Sequence, residues 1–261
     1  MADDEALTSA VTHQIAGIVD AVDAARTVVP GVPERERRVA MGHPHRESFD
    51  RELTEIKDNV LRMGALVEEQ IRAAIDAIVT HDAAAALEVI KNDAGVNEVQ
   101  RKVSAMITAT IATQAPVARD LRFLLTLDHV GYELERMGDH ASSVAKQARK
   151  LAPHPPLRQS VELPLLGERV AELVHGIVRA LVEIDPIRAR EVAKGDDDVD
   201  ALYHQIFDDV LELMRADREN VERGAQVLFA AHYLERIGDR VTNIAEDIVF
   251  LATGEVEDLN P

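Results

Sequence analysis

The chain has 261 residues, 47 Asp and Glu against 29 Lys and Arg for a net charge of −18, and neither cysteine nor tryptophan. That length suits one large domain or two ordinary ones, the charge repels nucleic acid and anionic lipid at long range, and the lack of thiols removes disulfides and soft-metal thiolate sites. Hydrophobic residues reach 46% while aromatics reach only 3%, so the core must be built from Ala, Leu, Val and Ile, a composition that favours closely packed helices.

Residues 1–45 form an N-terminal extension. Leu7 to Val28 reads as a small Ala-rich amphipathic helix, and Val29-Pro30-Gly31-Val32-Pro33 as a flexible connector. The acidic opening Met1-Ala2-Asp3-Asp4-Glu5 is unlike the basic start of a secretory signal, and no apolar run nears the roughly 20 residues that span a bilayer. The expected compartment is the cytoplasm.

From residue 46 the chain reads as amphipathic helix. Phe49, Leu53, Ile56, Val60, Met63, Val67, Ile71, Ala74 and Ile78 follow spacings of three and four and predict one long first helix. Thr80-His81-Asp82 stops it and supplies a fresh N-cap. The second helix runs to about Thr113, with Leu87, Ile90, Val96, Val99, Val103 and Met106 among its expected buried positions. Gln114-Ala115-Pro116 ends it, because proline disfavours helix at the residue before it. The third carries Leu124, Leu127, Leu134, Ala141, Val144 and Ala148.

Ala152-Pro153-His154-Pro155-Pro156 cannot continue a helix and marks the main boundary. Beyond it, a fourth helix starts near Pro164, Asp185-Pro186 caps a fifth that runs to about Ala216, and a sixth carries Val227, Ala231, Leu234, Gly238, Val241, Ala245 and Ile248. No alternating strand pattern is present. The fold class is all-α: two tandem three-helix bundles, over 46–152 and 160–254, related by internal duplication.

The duplication is plainest in Leu134-Glu135-Arg136-Met137-Gly138-Asp139 and Leu234-Glu235-Arg236-Ile237-Gly238-Asp239, 100 residues apart. Asp93, Val96, Asn97 and Val103 match Asp196, Val199, Asp200 and Ile206 at an offset of 103. Glu and Asp four apart lie on one helix face and repel by a few tenths of a kcal/mol, and each copy also holds a helical glycine that costs about 1 kcal/mol relative to alanine. A motif locally unfavourable twice over asks for a reason beyond folding, and a bound cation is the simplest.

Short connections make the second and third helices antiparallel neighbours. Asp93 and Asn97 can then face Glu135 and Asp139, and Asp196 and Asp200 can face Glu235 and Asp239. Asp128, Asn243 and Glu246 are extra oxygen candidates, and His140 and His232 could add nitrogen. Oxygen clusters of this type suit Mg, Mn, Ca or ferric iron, with zinc open through imidazole. Asp200 stands where the first half has Asn97, so the second half should bind metal more strongly. The single Glu172-x-x-His175 lacks the second copy and the two further Glu of di-iron bundles.

The twin Glu-Arg-x-Gly-Asp motifs, the segment Gln114-Ala115-Pro116-Val117-Ala118-Arg119-Asp120-Leu121-Arg122 and the opening Phe49-Asp50-Arg51-Glu52-Leu53 together resemble the PhoU family, the phosphate-specific transport system accessory proteins. The resemblance covers residues 46 to 253. It implies two similar three-helix bundles that hold iron or zinc clusters at Asp93, Glu135 and Asp139 and at Asp196, Asp200, Glu235 and Asp239, with Asn97 departing from an acidic position. It further implies a non-enzymatic negative regulator of phosphate uptake, placed at the inner face of the membrane through its partners: the ATPase subunit of a phosphate ABC transporter and a sensor histidine kinase. Self-association as a homodimer stays open.

Three other readings compete. A metal-dependent carboxylate-bundle enzyme would need an enclosed pocket and an open coordination position. A purely structural scaffold would bind no stoichiometric metal. A regulator of the same type could serve a different ion transporter.

Overall fold

The structure is a computed structural model in which residues 44–157 and 162–259 are described; the expected helix at Leu7–Val28 and the connector after it lie outside those residues. Among the described residues seven helices follow in chain order: α1 (Pro44–Val79), α2 (Ala83–Gln114), α3 (Ala118–Leu151), α4 (Leu163–Glu183), α5 (Pro186–Lys194), α6 (Asp196–Ala216) and α7 (Asn220–Thr253). No strand occurs among the described residues. Residues up to Arg51 fall in one contact unit, whose described part is the first turns of α1, and everything from Glu52 onward forms a second compact unit.

The caps are where the residue types place them. Asp82 Oδ1 accepts from the Ala84 and Ala85 N–H groups at 2.8 and 3.0 Å, and Asp185 Oδ1 accepts from Ile187 and Arg188 at 2.9 and 3.1 Å. Each satisfies N–H groups a helix start leaves open. Ala115, after Gln114, takes a left-handed φ of 45° and ends α2 before Pro116.

Two expectations fail. The fifth predicted helix is two helices, α5 and α6, broken at Gly195. A β-carbon there would meet Leu173 Cδ2 at 2.6 Å and the Val192 carbonyl oxygen at 3.1 Å. The bend brings the chain against Leu173 of α4, which a side chain at this position would have to displace, and α6 restarts with Asp196, Asp197 and Asp198 in its first turn, the end of a helix dipole that favours acid. Leu87, expected inside, is 37% exposed because α2 turns Ala86 and Val89 inward instead.

Within the second unit the core is continuous. Ile56, Met63, Ile71, Leu124, Leu134, Leu166, Ile177, Leu234 and Ile237 are all fully buried. Among α2 to α7, the last helices of the two halves, α3 and α7, make the most extensive contact; α2 flanks α3, and α4, α5 and α6 flank α7. Helix α1 meets α4 closely, since a β-carbon on Gly64 would fall 2.6 Å from Val178 Cγ2 and one on Gly167 would overlap Ile75. These pairs share the offset of 103, so the duplication visible in sequence is also a duplication of contacts.

The α3/α7 seam is polar at one end. His129 Nδ1–H donates to Asp247 Oδ2 at 2.6 Å, and the buried Glu133 accepts from Asn243 Nδ2 at 3.1 Å and Arg240 Nη1 at 3.5 Å. At the other end, offset by 100, Phe229 and Tyr233 replace His129 and Glu133, and Tyr233 stacks on His140 with ring centroids 6.0 Å apart.

Candidate metal centre

In the first half, α2 carries Asp93 and Asn97 one turn apart, and α3 carries Glu135 and Asp139 one turn apart. Gly138 is the contact point. A β-carbon on it would sit 3.4 Å from Asp93 Oδ1 and 3.2 Å from Gln70 Oε1. Burial pushes the Asp93 carboxyl above the usual range, the Asp139 charge pushes it further, and Lys146 opposes both. Glu135 is raised by burial, then by Asp139 and, more weakly, Asp93, with Arg136 opposing. The three carboxylates therefore share one field. Asp93 Oδ1 and Asn97 Oδ1 are buried without a hydrogen-bond partner.

The second half repeats the design more tightly. Asp196 and Asp200 come from α6, and Glu235 and Asp239 from α7. A β-carbon on Gly238 would overlap Asp196 Oδ1 outright. Asp196 is 5% exposed, and its pKa is pushed up to about 7, by burial first and then by Asp200, Asp239, Glu235 and Asp197. Asp200 is raised by burial and Asp239, and Glu235 by burial and Asp239, with His204 and Arg236 opposing in part. Asp239 Oδ2 accepts from Arg236 Nη1 at 2.8 Å. Asp196 Oδ1 has no hydrogen-bond partner, and the buried Glu235 Oε2 has only the His232 ring nitrogen at 3.4 Å, outside hydrogen-bond geometry.

The extra candidates sort differently. Asn243 donates to Glu133 in the α3/α7 seam, and Glu246 Oε1 accepts from the Leu259 N–H at 2.9 Å, so each already has another partner. Asp128 acts on His129. His140 packs on Tyr233, and burial together with Arg240 and Arg236 lowers its pKa. His175 bonds Glu68 at 3.1 Å across to α1, and Glu172 pairs with Arg169, which leaves the Glu-x-x-His pattern without a shared target. Gln114 of the 114–122 segment donates to Glu52 at 3.4 Å, and Arg122 lies over the Phe250 ring at 5.3 Å.

Two neighbours of the carboxylates have no site role in the sequence reading, in which His204 counts as an ordinary surface or boundary histidine. His204 Nδ1–H donates to the Asp200 carbonyl at 2.7 Å, and the ring opposes the rise of the Asp200 and Glu235 carboxyls. Gln70, on α1, lies over Gly138 with Asp93. Its signal was a polar residue within the apolar stripe Val67, Ile71, Ala74.

This donor set fits a hard cation. Buried carboxylate oxygens without partners are rare and each requires an explanation, and here they cluster beside like charges that a cation would neutralise. Among the described residues no three His, Asp or Glu groups are already spaced to close on one ion. Binding an ion there requires the side chains to converge.

The chain matches the PhoU domain model over residues 60–148 and 163–248. It is 38% identical over 216 residues to a phosphate-specific transport system accessory protein PhoU homolog of Clostridium acetobutylicum, covering 82% of this chain and 99% of that one. A homolog of the same description from Xylella fastidiosa is 35% identical, covering 80% and 88%. Among solved structures, PhoU from Pseudomonas aeruginosa superposes with a TM-score of 0.77 at 31% identity, covering 79% of this chain and all of that one. The phosphate transport system regulatory protein PhoU from Streptococcus pneumoniae gives 0.75 at 29%, covering 80% and 99%.

Proposed function

The chain belongs to the PhoU family, and from that premise we propose that it is an accessory protein of a phosphate-specific transport system and acts on its partners by binding rather than by catalysis. In this reading it restrains phosphate uptake and phosphate-responsive signalling through contacts with the transporter's ATPase subunit and with a sensor histidine kinase. The observation that carries the reading is the match of both repeats, together with relatives of that description covered over nearly their whole length. No helix among the described residues is long and apolar enough to cross a membrane, so membrane proximity in this reading comes through the partners.

The paired carboxylates supply the second element. Asp93, Asn97, Glu135 and Asp139 would hold a cation between α2 and α3, and Asp196, Asp200, Glu235 and Asp239 would hold one between α6 and α7, with iron or zinc implied by family and Mg, Mn or Ca compatible with the oxygen donors. A bound ion supplies charge neutralisation. The residues then do the rest: two helices in each half are clamped by side chains that otherwise repel, which fixes the face presented to a partner. Asp239 borders an open 450 Å³ polar groove with Arg236, Arg240, Thr242 and Asn243, a setting closer to a docking face than to an enclosed catalytic pocket.

Deleting the gene in its host should leave phosphate uptake high in phosphate-replete medium, and tagged protein from replete cells should capture the transporter ATPase and the kinase. Normal repression in the deletion strain, with neither partner captured, would overturn the reading.

A further inference from the structure

We propose that Gln70 is a fifth oxygen donor to the first-half carboxylate site, reaching it from a third helix and giving that site a hard divalent cation despite the missing fourth carboxylate. The inference rests on the reading that the carboxylate pairs hold cations, and it concerns a residue outside both acidic motifs.

Gln70 is 6% exposed, and both its amide atoms are buried with no hydrogen-bond partner. A buried amide unpaired at both ends is costly, so the position calls for a ligand or a reason. Its Oε1 and Asp93 Oδ1 both lie within 3.4 Å of one point, the place a β-carbon on Gly138 would occupy. The missing side chain of Gly138 thus leaves room for two oxygens from different helices to converge. Asp93 Oδ1 and Asn97 Oδ1 are likewise buried and unpartnered, so three side chains from two helices carry unsatisfied buried oxygens, and two of these meet at Gly138 of α3.

The second half shows that packing alone does not require an amide here. The offset of 103 that relates Gly64 to Gly167 places Leu173 opposite Gln70. Leu173 packs against Gly195, so a hydrophobic side chain serves there. The halves thus compensate: the second has Asp200 and Leu173, the first Asn97 and Gln70. An amide oxygen coordinates a hard cation without adding charge, so the first half gains a donor without adding repulsion among Asp93, Glu135 and Asp139.

The test uses full-length protein with Mn2+ as probe, measured by equilibrium dialysis and electron paramagnetic resonance. In a D200N/E235Q background, which disables the second half, Q70L should weaken first-half Mn2+ binding by about tenfold, and Q70E should restore it. The metal-free melting temperature of Q70L should stay level or rise, because an unpaired buried amide is replaced by a hydrocarbon. A change in affinity below about threefold, or a loss matched by a lower metal-free melting temperature, would overturn the proposal. If the D93N/E135Q protein binds Mn2+ through its second half while the D200N/E235Q protein binds none, Gln70 is not a ligand but the metal reading stands. If neither half binds, the metal reading falls and the proposal falls with it.

Discussion

Around Asp196 stand Asp200, Glu235 and Asp239, with His204 opposing at Asp200 and Arg236 at Glu235; around Asp93 stand Glu135 and Asp139, with Asn97 in place of the fourth carboxylate, Lys146 opposing at Asp93 and Arg136 at Glu135. Arg101, offset 103 from His204, donates to the Asn97 carbonyl as His204 donates to that of Asp200. Lys146 has Glu246 as its counterpart. The duplication kept the positions of the side chains and let their charges drift. The second half became a strongly strained acid cluster that a cation relieves most. The first became a milder one, assembled partly from neutral amides.

The largest test of this contrast is Asp196→Asn against Asp93→Asn in metal-free protein. Asp196 goes from 3.8 to about 7 on folding, so the folded state holds the proton more tightly than the unfolded chain does. Stability from that group is intact below about pH 4 and lost as pH rises through 7. At pH 8, Asp196→Asn should stabilise the protein by up to about 4 kcal/mol, and Asp93→Asn should give a smaller gain of the same sign. Both gains should disappear near pH 4. Urea unfolding followed by circular dichroism reads this directly, and equal gains for the two variants would erase the proposed asymmetry.

A smaller effect separates the glycines. Alanine in a helix is worth about 1 kcal/mol over glycine, so Gly138→Ala, whose β-carbon meets Gln70 and Asp93 at 3.2 and 3.4 Å, should change stability little. Gly238→Ala must displace Asp196 Oδ1 and should cost about 1–3 kcal/mol. A thermal melt that ranks them the other way would show that Asp196 moves freely.

The helices were legible because an Ala- and Leu-rich core leaves its spacing of three and four in plain view, and the caps at Asp82 and Asp185 are local chemistry. The break at Gly195 was not, because the apolar rhythm from Val192 to Val199 continues across it; the close approach of Leu173 to Gly195 comes from another helix. The pairing of Asp93 with Glu135 and Asp139, and of Asp196 and Asp200 with Glu235 and Asp239, was readable from repetition plus the antiparallel connection. The unequal strain was readable only in part. Asn97 against Asp200 announced it, whereas Lys146, His204 and Gln70 act from positions whose neighbours are set by three-dimensional packing.

The same drift shows, more weakly, along the α3/α7 seam, where His129 and Asp247 at one end correspond to Phe229 and Gln147 at the other. The bond from Asp247 raises the His129 pKa against the pull of burial, with the charges of Asp247, Glu133 and Asp128 assisting. A base raised on folding stabilises fully below its unfolded value of about 6.5 and loses that contribution as pH rises through the folded value. His129 is 55% exposed, so solvent screening holds the effect to about 0.5–1 kcal/mol. His129→Phe should therefore destabilise the protein near pH 6, and the difference from wild type should shrink toward pH 9. The remainder at high pH comes from Asp247, whose pKa burial already raises and which loses its donor in the variant. Adding Asp247→Gln copies the neutral end of the seam and should remove that remainder. If the His129→Phe difference stays constant from pH 6 to 9, the imidazole is holding the seam by packing, and its charge is incidental.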